Sequence, residues 1–349
     1  MKTLIIGDLH LDNKIPGSLE AQIDCIYKII TQNADRADKI VFLGDVFMMR
    51  RPKPSVLLGF KKLLDKLDAS YEYAWHSPPE VYILRGNHDS ENKNDDGVTA
   101  LSLFETRNLR LQIITQTNEG DIDEIDVDDV FIPHYEDEER IRADLHACTP
   151  NQTCYGHFGY FGGLNSAGDL DFGLVHDDFK CRTYLGHIHT YKEEGNITVV
   201  GTPYTTCFSE AGKDSVVIVE RDGEREVVPV VGGPRHLVMS LDDVEGNLDF
   251  INDPTYFTYL RILVKTTEEE KKELSGVIDR LKIPYYEFKF VPVIYDIKEL
   301  SDYDPSTPIF SVTPELLEEY INHSETRLQK EQLMDGLKVI HENQQNRNS

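Results

Sequence analysis

Eight short apolar runs constrain this chain more than any other feature. They are Thr3–Ile6, Lys39–Leu43, Glu80–Leu84, Val130–Ile132, Thr153–Tyr155, Arg182–Leu185, Ile197–Val200 and Ser215–Val219. Each is too short for a helix and too continuous for a strand with one wet face, so they read as strands buried on both faces. Helical patterns stand between them. Leu19, Ile23, Ile26, Tyr27 and Ile30 share one helical face. Ser55 is placed as an N-cap for a helix over Val56–Leu67. Alternation of this kind predicts a layered α/β sandwich.

The pattern changes after Gly232-Gly233-Pro234, where a domain boundary is expected. Residues 1–233 form the expected α/β domain. A strand at Tyr256–Val264, a helix at Glu268–Leu281 and a strand at Tyr286–Pro292 predict a small α+β cap over 234–300. In 301–349 a turn-rich linker over Ser301–Thr307 leads to helices from Pro314 and from about Glu325 to His341. No run approaches a membrane span, and charge follows the first apolar stretch too soon for a signal peptide. Cys25, Cys148, Cys154, Cys181 and Cys207 make no C-x-x-C pair and read as small buried residues of a reducing, cytoplasmic compartment.

Five of the strands deliver metal-capable side chains just past their carboxyl ends. The segments are Gly7-Asp8-Leu9-His10, Gly44-Asp45, Gly86-Asn87-His88-Asp89, Gly156-His157 and Gly186-His187-Ile188-His189. Sites in open α/β sheets form at those ends, and a glycine before each ligand permits unusual backbone angles and close loop approach. The set holds two Asp, one Asn and four His without thiolate, which suits Mn, Fe or Zn better than Ca or Mg. Seven ligands exceed the needs of one ion and fit two that share a bridging carboxylate. Such a pair clamps a phosphate and activates water.

Taken together, Asp8-x-His10, Gly44-Asp45, Gly86-Asn87-His88-Asp89, Gly156-His157 and Gly186-His187-x-His189 resemble the signature of the calcineurin-like metallophosphoesterases. The resemblance covers roughly residues 1–230. It implies one metal held by Asp8, His10, Asp45 and His189, and a second held by Asp45, Asn87, His157 and His187. It also implies that His88 protonates the leaving oxygen and that Asp89 orients His88. Asp45-Val46-Phe47 with Arg51-Pro52-x-Pro54, the segment Val200-Gly201-Thr202-Pro203-Tyr204, and the order of domains are similar to DNA-repair nucleases of the SbcD type, most of all their phage recombination-endonuclease versions. Met48 stands where archaeal and eukaryotic members carry a histidine. This branch implies a Mn²⁺-dependent exonuclease on duplex ends and endonuclease on single strands. It also implies a cap that holds DNA, a homodimer, and C-terminal helices that dock on an SbcC-type ABC ATPase. The competing readings are a calcineurin-like phosphatase or cyclic-nucleotide phosphodiesterase, and a non-catalytic regulatory subunit.

Charge bears on the substrate. The chain carries −26 overall, which argues against broad affinity for nucleic acid. Residues 119–140, however, hold eleven acids against Arg140 alone, and the tail from Asp296 adds a further −6, so most of the charge lies away from the strand ends. The 119–140 stretch reads as a solvated hairpin and helix start. Arg50, Arg51 and Lys53 are the candidate phosphate contacts. His134, His146 and His176 match no motif and read as surface or structural residues. The balance predicts weak nonspecific DNA binding by the chain itself, with tight binding left to the ATPase.

Overall fold

In the computed structural model all eight apolar runs are strands, divided between two sheets. Residues 1–33, 37–71, 77–117, 128–160, 173–265 and 274–291 are described. The chain begins β1 (Lys2–Ile6), α1 (Ser18–Asn33), β2 (Lys39–Phe42), α2 (Pro54–Ser70), β3 (Glu80–Leu84) and β4 (Arg110–Ile114). Next come β5 (Asp129–Ile132), α3 (Glu138–Ala147), β6 (Thr153–Gly156), β7 (Arg182–Leu185), β8 (Lys192–Glu194) and β9 (Ile197–Val199). The antiparallel pair β10 (Val216–Arg221) and β11 (Glu224–Pro229) precedes β12 (Gly233–Ser240), α4 (Leu241–Gly246), α5 (Leu248–Ile251), β13 (Tyr256–Lys265) and β14 (Tyr285–Val291).

The first sheet runs β11-β10-β1-β2-β3-β4 and the second β5-β6-β7-β9-β8. Within each, the strands that lead to the predicted ligands are parallel, so their carboxyl ends share one edge. An apolar layer fills the space between the sheets, with Ile5, Val41, Leu84 and Ile218 facing Phe131, Tyr155 and Tyr184. Tyr82, Phe131, Tyr155 and Tyr184 stack in a row at 4.6, 5.1 and 5.8 Å between centroids. Each such pair adds about 0.5–1.5 kcal/mol beyond its buried area. Lys39 of β2 and Asp129 of β5 form an ion pair across the sheets, both almost wholly buried. Asp129 is thus one acid of the 119–140 stretch that does not face solvent, and β5 pairs in parallel with β6 rather than as the arm of a hairpin. Residues 118–127 of that stretch lie outside the described residues.

Ile26, Ile30, Phe60 and Leu64 of α1 and α2 cover the outer face of the first sheet, and Ile141 and Leu145 of α3 cover the second. The result is the expected layered sandwich. Helix α2 starts at Pro54, not after Ser55, and its N-cap is Lys53. Proline at the first helical position loses no hydrogen bond and is already set at a helical φ, which outweighs the capping preference of serine. Strands β4, β8 and β11 escape the periodicity argument because they are polar and partly exposed.

The third sheet, β12-β13-β14, is all parallel. It therefore has one strand more than expected, since β12 begins at the Gly-Pro that reads as punctuation. Leu260, Ile262 and Val264 pack against Leu241 and Val244 of α4 and against Val277. Gly233 lets β12 lie directly on α1, because a Cβ there would sit 2.5 Å from Cys25 Sγ. Cys25, Cys148, Cys154 and Cys181 are buried and Cys207 half-buried, all as free thiols. Met1–Pro292 forms one compact unit. The predicted linker and C-terminal helices over 301–349, and residues 268–273 of the predicted cap helix, lie outside the described residues. Among the described residues no helix is long and apolar enough to cross a membrane.

Candidate metal centre

The seven predicted ligands converge where the carboxyl ends of both sheets meet. Asp8, His10, Asp45 and His157 are almost completely buried. Three of the ligands, His10, Asp45 and His187, hold φ of +45°, +46° and +72°, in the left-handed region that non-glycine residues rarely enter. Backbone strain of this kind costs about 1–3 kcal/mol per residue and persists where surrounding structure enforces it, commonly at functional sites. The glycines enforce it by proximity. A Cβ on Gly86 would lie 2.1 Å from Asp45 Oδ1 and 2.3 Å from its backbone nitrogen. Gly44 combines φ +105° with a Cβ position 2.5 Å from His157 Nδ1.

Two adjoining clusters result. In one, His10 Nε2 lies 2.9 Å from His189 Nε2, and these nitrogens stand 3.8 and 3.7 Å from Asp8 Oδ2. In the other, Asn87 Oδ1 is 3.0 Å from both His157 Nε2 and His187 Nδ1, and His157 Nε2 is 3.3 Å from Asp45 Oδ1. Asp45 also stands 3.7 Å from His10 Nε2, so it borders both clusters.

The donor chemistry fits cations. His157 donates from Nδ1 to the Leu43 carbonyl at 2.7 Å, so its Nε2, facing the Asn87 oxygen, carries either a proton or, with a cation bound, a ligating lone pair. His189 likewise directs Nδ1 to the Glu210 carboxylate at 2.5 Å, which leaves its Nε2 lone pair facing His10. Lone pair against lone pair is repulsive without a proton or a cation between. Among the described residues, the ion-pair contacts of the buried Asp8 and Asp45 are all with histidines. Burial, with Asp45's charge adding to it, raises the Asp8 carboxyl. Burial pushes the other way at Asp45, yet His157 and His10 hold it well below the carboxylate range. His157 is itself raised to about 9, because Asp45 and Asp8 overcome the effect of its burial.

His88 half-faces the cavity and directs Nδ1 to the Met48 carbonyl at 2.6 Å, while its amide donates to Asp45 Oδ1 at 2.8 Å. Asp89 does not make the contact expected of it. Its carboxylate accepts backbone N–H bonds from Gly86, Val46 and Phe47 at 3.0–3.2 Å, so it clamps the loops after β2 and β3. The orienting contact of His88 is a carbonyl because the chain turns Asp89 inward, away from the cavity. Burial, then the charge of Asp45, raises the Asp89 carboxyl to about 7 against those three donors. By distance, His88 could also join His10 and Asp45 around an ion, although Nδ1 is already committed.

A cavity of about 580 Å³ opens over these residues, and Lys14, Arg50 and Lys93 line it. Of the predicted phosphate contacts only Arg50 is among its lining; Arg51 and Lys53 are exposed outside it. Lys14 and Lys93 are isolated in sequence, so no cluster marked them. His134 is buried and so is not the surface residue that was one of the two expectations for it. It follows β5, lines the same cavity, and its ring lies 6.0 Å from that of His187. No glycine precedes it, which is why it resembles no ligand motif. His146 is a surface residue bonded to Asp178, as expected. Glu210 was also missed: it lies twenty-one residues from His189 in a segment with no ligand pattern.

Residues 1–191 match the calcineurin-like phosphoesterase family, and the chain belongs to that family. Its members use divalent metal ions, and the Asp/His clusters described above are where this chain would hold them. The chain is also 25% identical over 333 residues to exonuclease subunit 1 of Enterobacteria phage T4, covering 92% of each protein.

Proposed function

We propose that this chain is the nuclease subunit of a DNA recombination and repair complex, cutting phosphodiesters with two divalent ions, Mn²⁺ foremost. It acts as an exonuclease on duplex ends and an endonuclease on single strands, in the cytoplasm of the host cell. The observation that carries the reading is an open cavity, with Lys14, Arg50 and Lys93 at its rim beside their partners Asp12 and Glu136, above two adjoining ligand clusters. A charged polymer passes through an open rim, whereas a small phosphomonoester gains nothing from one. The name of the phage T4 relative, an exonuclease subunit, supports both the substrate and the dependence on a partner.

Asp8, His10, Asp45 and His189 would hold one ion, and Asp45, Asn87, His157 and His187 the other. Bound there, the ions neutralise phosphate oxygens and lower the pKa of water. The protein's own groups do the rest. The rim cations orient the strand. His88, its Nδ1 proton held by the Met48 carbonyl, delivers a proton from Nε2 to the leaving oxygen. Asp89 keeps the two ligand loops in register. In this reading residues 1–233 are the nuclease domain and 234–300 a DNA-holding cap. Residues 301–349 dock an SbcC-type ATPase, within a homodimeric assembly.

The test is a Mn²⁺ cleavage assay on end-labelled duplex and single-stranded DNA, with and without a candidate ATPase. His88→Ala should cut about 10²–10⁴-fold more slowly while calorimetry shows metal binding nearly unchanged. A variant that digests DNA as fast as the parent removes His88 from the reaction. Rapid turnover of a phosphomonoester with no cleavage of DNA favours the phosphatase reading. Metal binding without any hydrolysis favours the regulatory one.

A further inference from the structure

A second groove, of about 390 Å³, adjoins the cavity over the metal centre, and Lys14, Met48, Thr206 and Cys207 line both. Its chemistry differs from that of the cavity. The register of the third sheet places His236, Tyr259 and Tyr285 side by side across β12, β13 and β14. His236 and Tyr259 stack at 4.4 Å with planes 5° apart, and Tyr259 and Tyr285 stand 5.8 Å apart. Phe208, from the segment leading to Glu210, meets His236 edge-on at 4.9 Å. Phe208 and Tyr285 are half-buried, so their rings are partly open to the groove.

Charge is largely cancelled there. Arg261 pairs with Glu287 at 2.5 Å while its guanidinium lies 4.1 Å over the Phe208 ring, and Lys14 pairs with Asp12 at 3.3 Å. The cations of the cavity are paired too, Arg50 and Lys93 with Glu136 and Lys14 with Asp12, so what sets the groove apart is its aromatic floor beside a cavity lined by the metal-ligand clusters. A polynucleotide strand has the matching halves: charged phosphates on one side, flat uncharged bases on the other. A base held in a duplex cannot turn into such a groove, because its partner and neighbours retain it; an unpaired base can.

We propose that the groove floored by Phe208, Tyr285 and the His236–Tyr259 stack binds an unpaired nucleobase of the strand whose phosphate occupies the cavity. This rests on the nuclease reading. It adds a reason for cutting single strands and frayed ends: the base beside the cut is gripped only once it is free.

The test uses the unaltered full-length chain first. A short single-stranded oligonucleotide is cleaved with Mn²⁺ while one nucleotide at a time is replaced by an abasic residue. Loss of the base next to the cut should raise KM about tenfold, within the range for base–aromatic stacking, with kcat changed little. Phe208→Ala and Tyr285→Ala should each raise KM for the intact oligonucleotide by several-fold, and should add nothing on the strand already abasic at that position. If every abasic strand keeps KM within about twofold of the intact one, where stacking predicts tenfold, the groove holds no base. If the variants lose as much on the abasic strand as on the intact one, their effect is structural and the proposal falls. A parent chain that cuts no DNA at all overturns the nuclease reading, and the groove proposal with it.

Discussion

The two stacked sheets contribute unlike halves of the metal centre. The first, through β1, β2 and β3, supplies Asp8, Asp45 and Asn87, every oxygen donor of the predicted set, together with His10. The second, through β6 and β7, supplies imidazoles only: His157, His187 and His189. The halves are also held differently. Oxygen donors are fixed by their own backbone, with loops drawn together by glycine and by the inward carboxylate of Asp89. Imidazoles are fixed by acceptors at the far ring nitrogen, the Leu43 carbonyl for His157 and Glu210 for His189. Carboxylates need to be placed, whereas imidazoles must also be kept in one tautomer. The division follows from that.

The largest effect should come from breaking the first half. Gly86→Ala puts a methyl group 2.1 Å from Asp45 Oδ1, against backbone that cannot retreat. Metal binding and cleavage should both fall below detection while circular dichroism stays close to the parent's. Retained metal affinity would mean that the loops after β2 and β3 are looser than their contacts imply.

The joint between the halves comes next. Asp129→Ala removes the carboxylate on which the buried Lys39 ammonium sits, and breaking a buried pair in this way destabilises by about 3–5 kcal/mol. Thermal unfolding should move down accordingly. The double variant Lys39→Met with Asp129→Leu should recover most of the loss, because apolar residues of similar volume avoid the desolvation of both charges. A double variant as unstable as the single one would show that the pair does more than join the sheets.

Glu210→Gln probes the second half alone. Glutamine keeps the shape but can present its NH₂ to His189 Nδ1, so the tautomer is no longer fixed. Metal affinity should fall about 10–100-fold, the range for an outer partner of a ligating histidine, as read by calorimetry. Glu210→Asp should restore part of it, and affinity unchanged in the Gln variant would reduce Glu210 to an anchor for Thr206.

These contrasts also explain what could be read from sequence. The strands of the sandwich core and the donors behind Gly7, Gly44, Gly86, Gly156 and Gly186 were readable, because buried strands are apolar and strained ligand turns recruit glycine. Glu210 was not, since it reaches the site through tertiary contact and carries no local pattern, and His134 follows β5 as the ligands follow their strands but lacks the glycine that marks them. The role of Asp89 was misread for a related reason: adjacency in sequence placed it beside His88, while backbone direction turned it to the loops. The parallel β12 was hidden because its first residues, Gly233 and Pro234, belong equally to a turn.

The smallest effect concerns the rim, where the two halves meet the substrate. Arg50 lines the cavity and is tied to the Asn92 carbonyl at 2.9 Å and to Glu136 at 3.3 Å, whereas Arg51 and Lys53 stand outside it. A cation that meets a phosphate releases counterions, so its removal flattens the dependence of binding on salt. Arg50→Ala should weaken DNA binding a few-fold at low salt and reduce the slope of log affinity against log salt by about 1. Arg51→Ala and Lys53→Ala should leave that slope close to the parent's, since neither faces the cavity. Glu136 holds Arg50 in place and partly neutralises it, so Glu136→Gln should act in the opposite sense and strengthen binding slightly. Equal slopes for Arg50→Ala and Arg51→Ala would place the strand across the outer loop and not through the cavity.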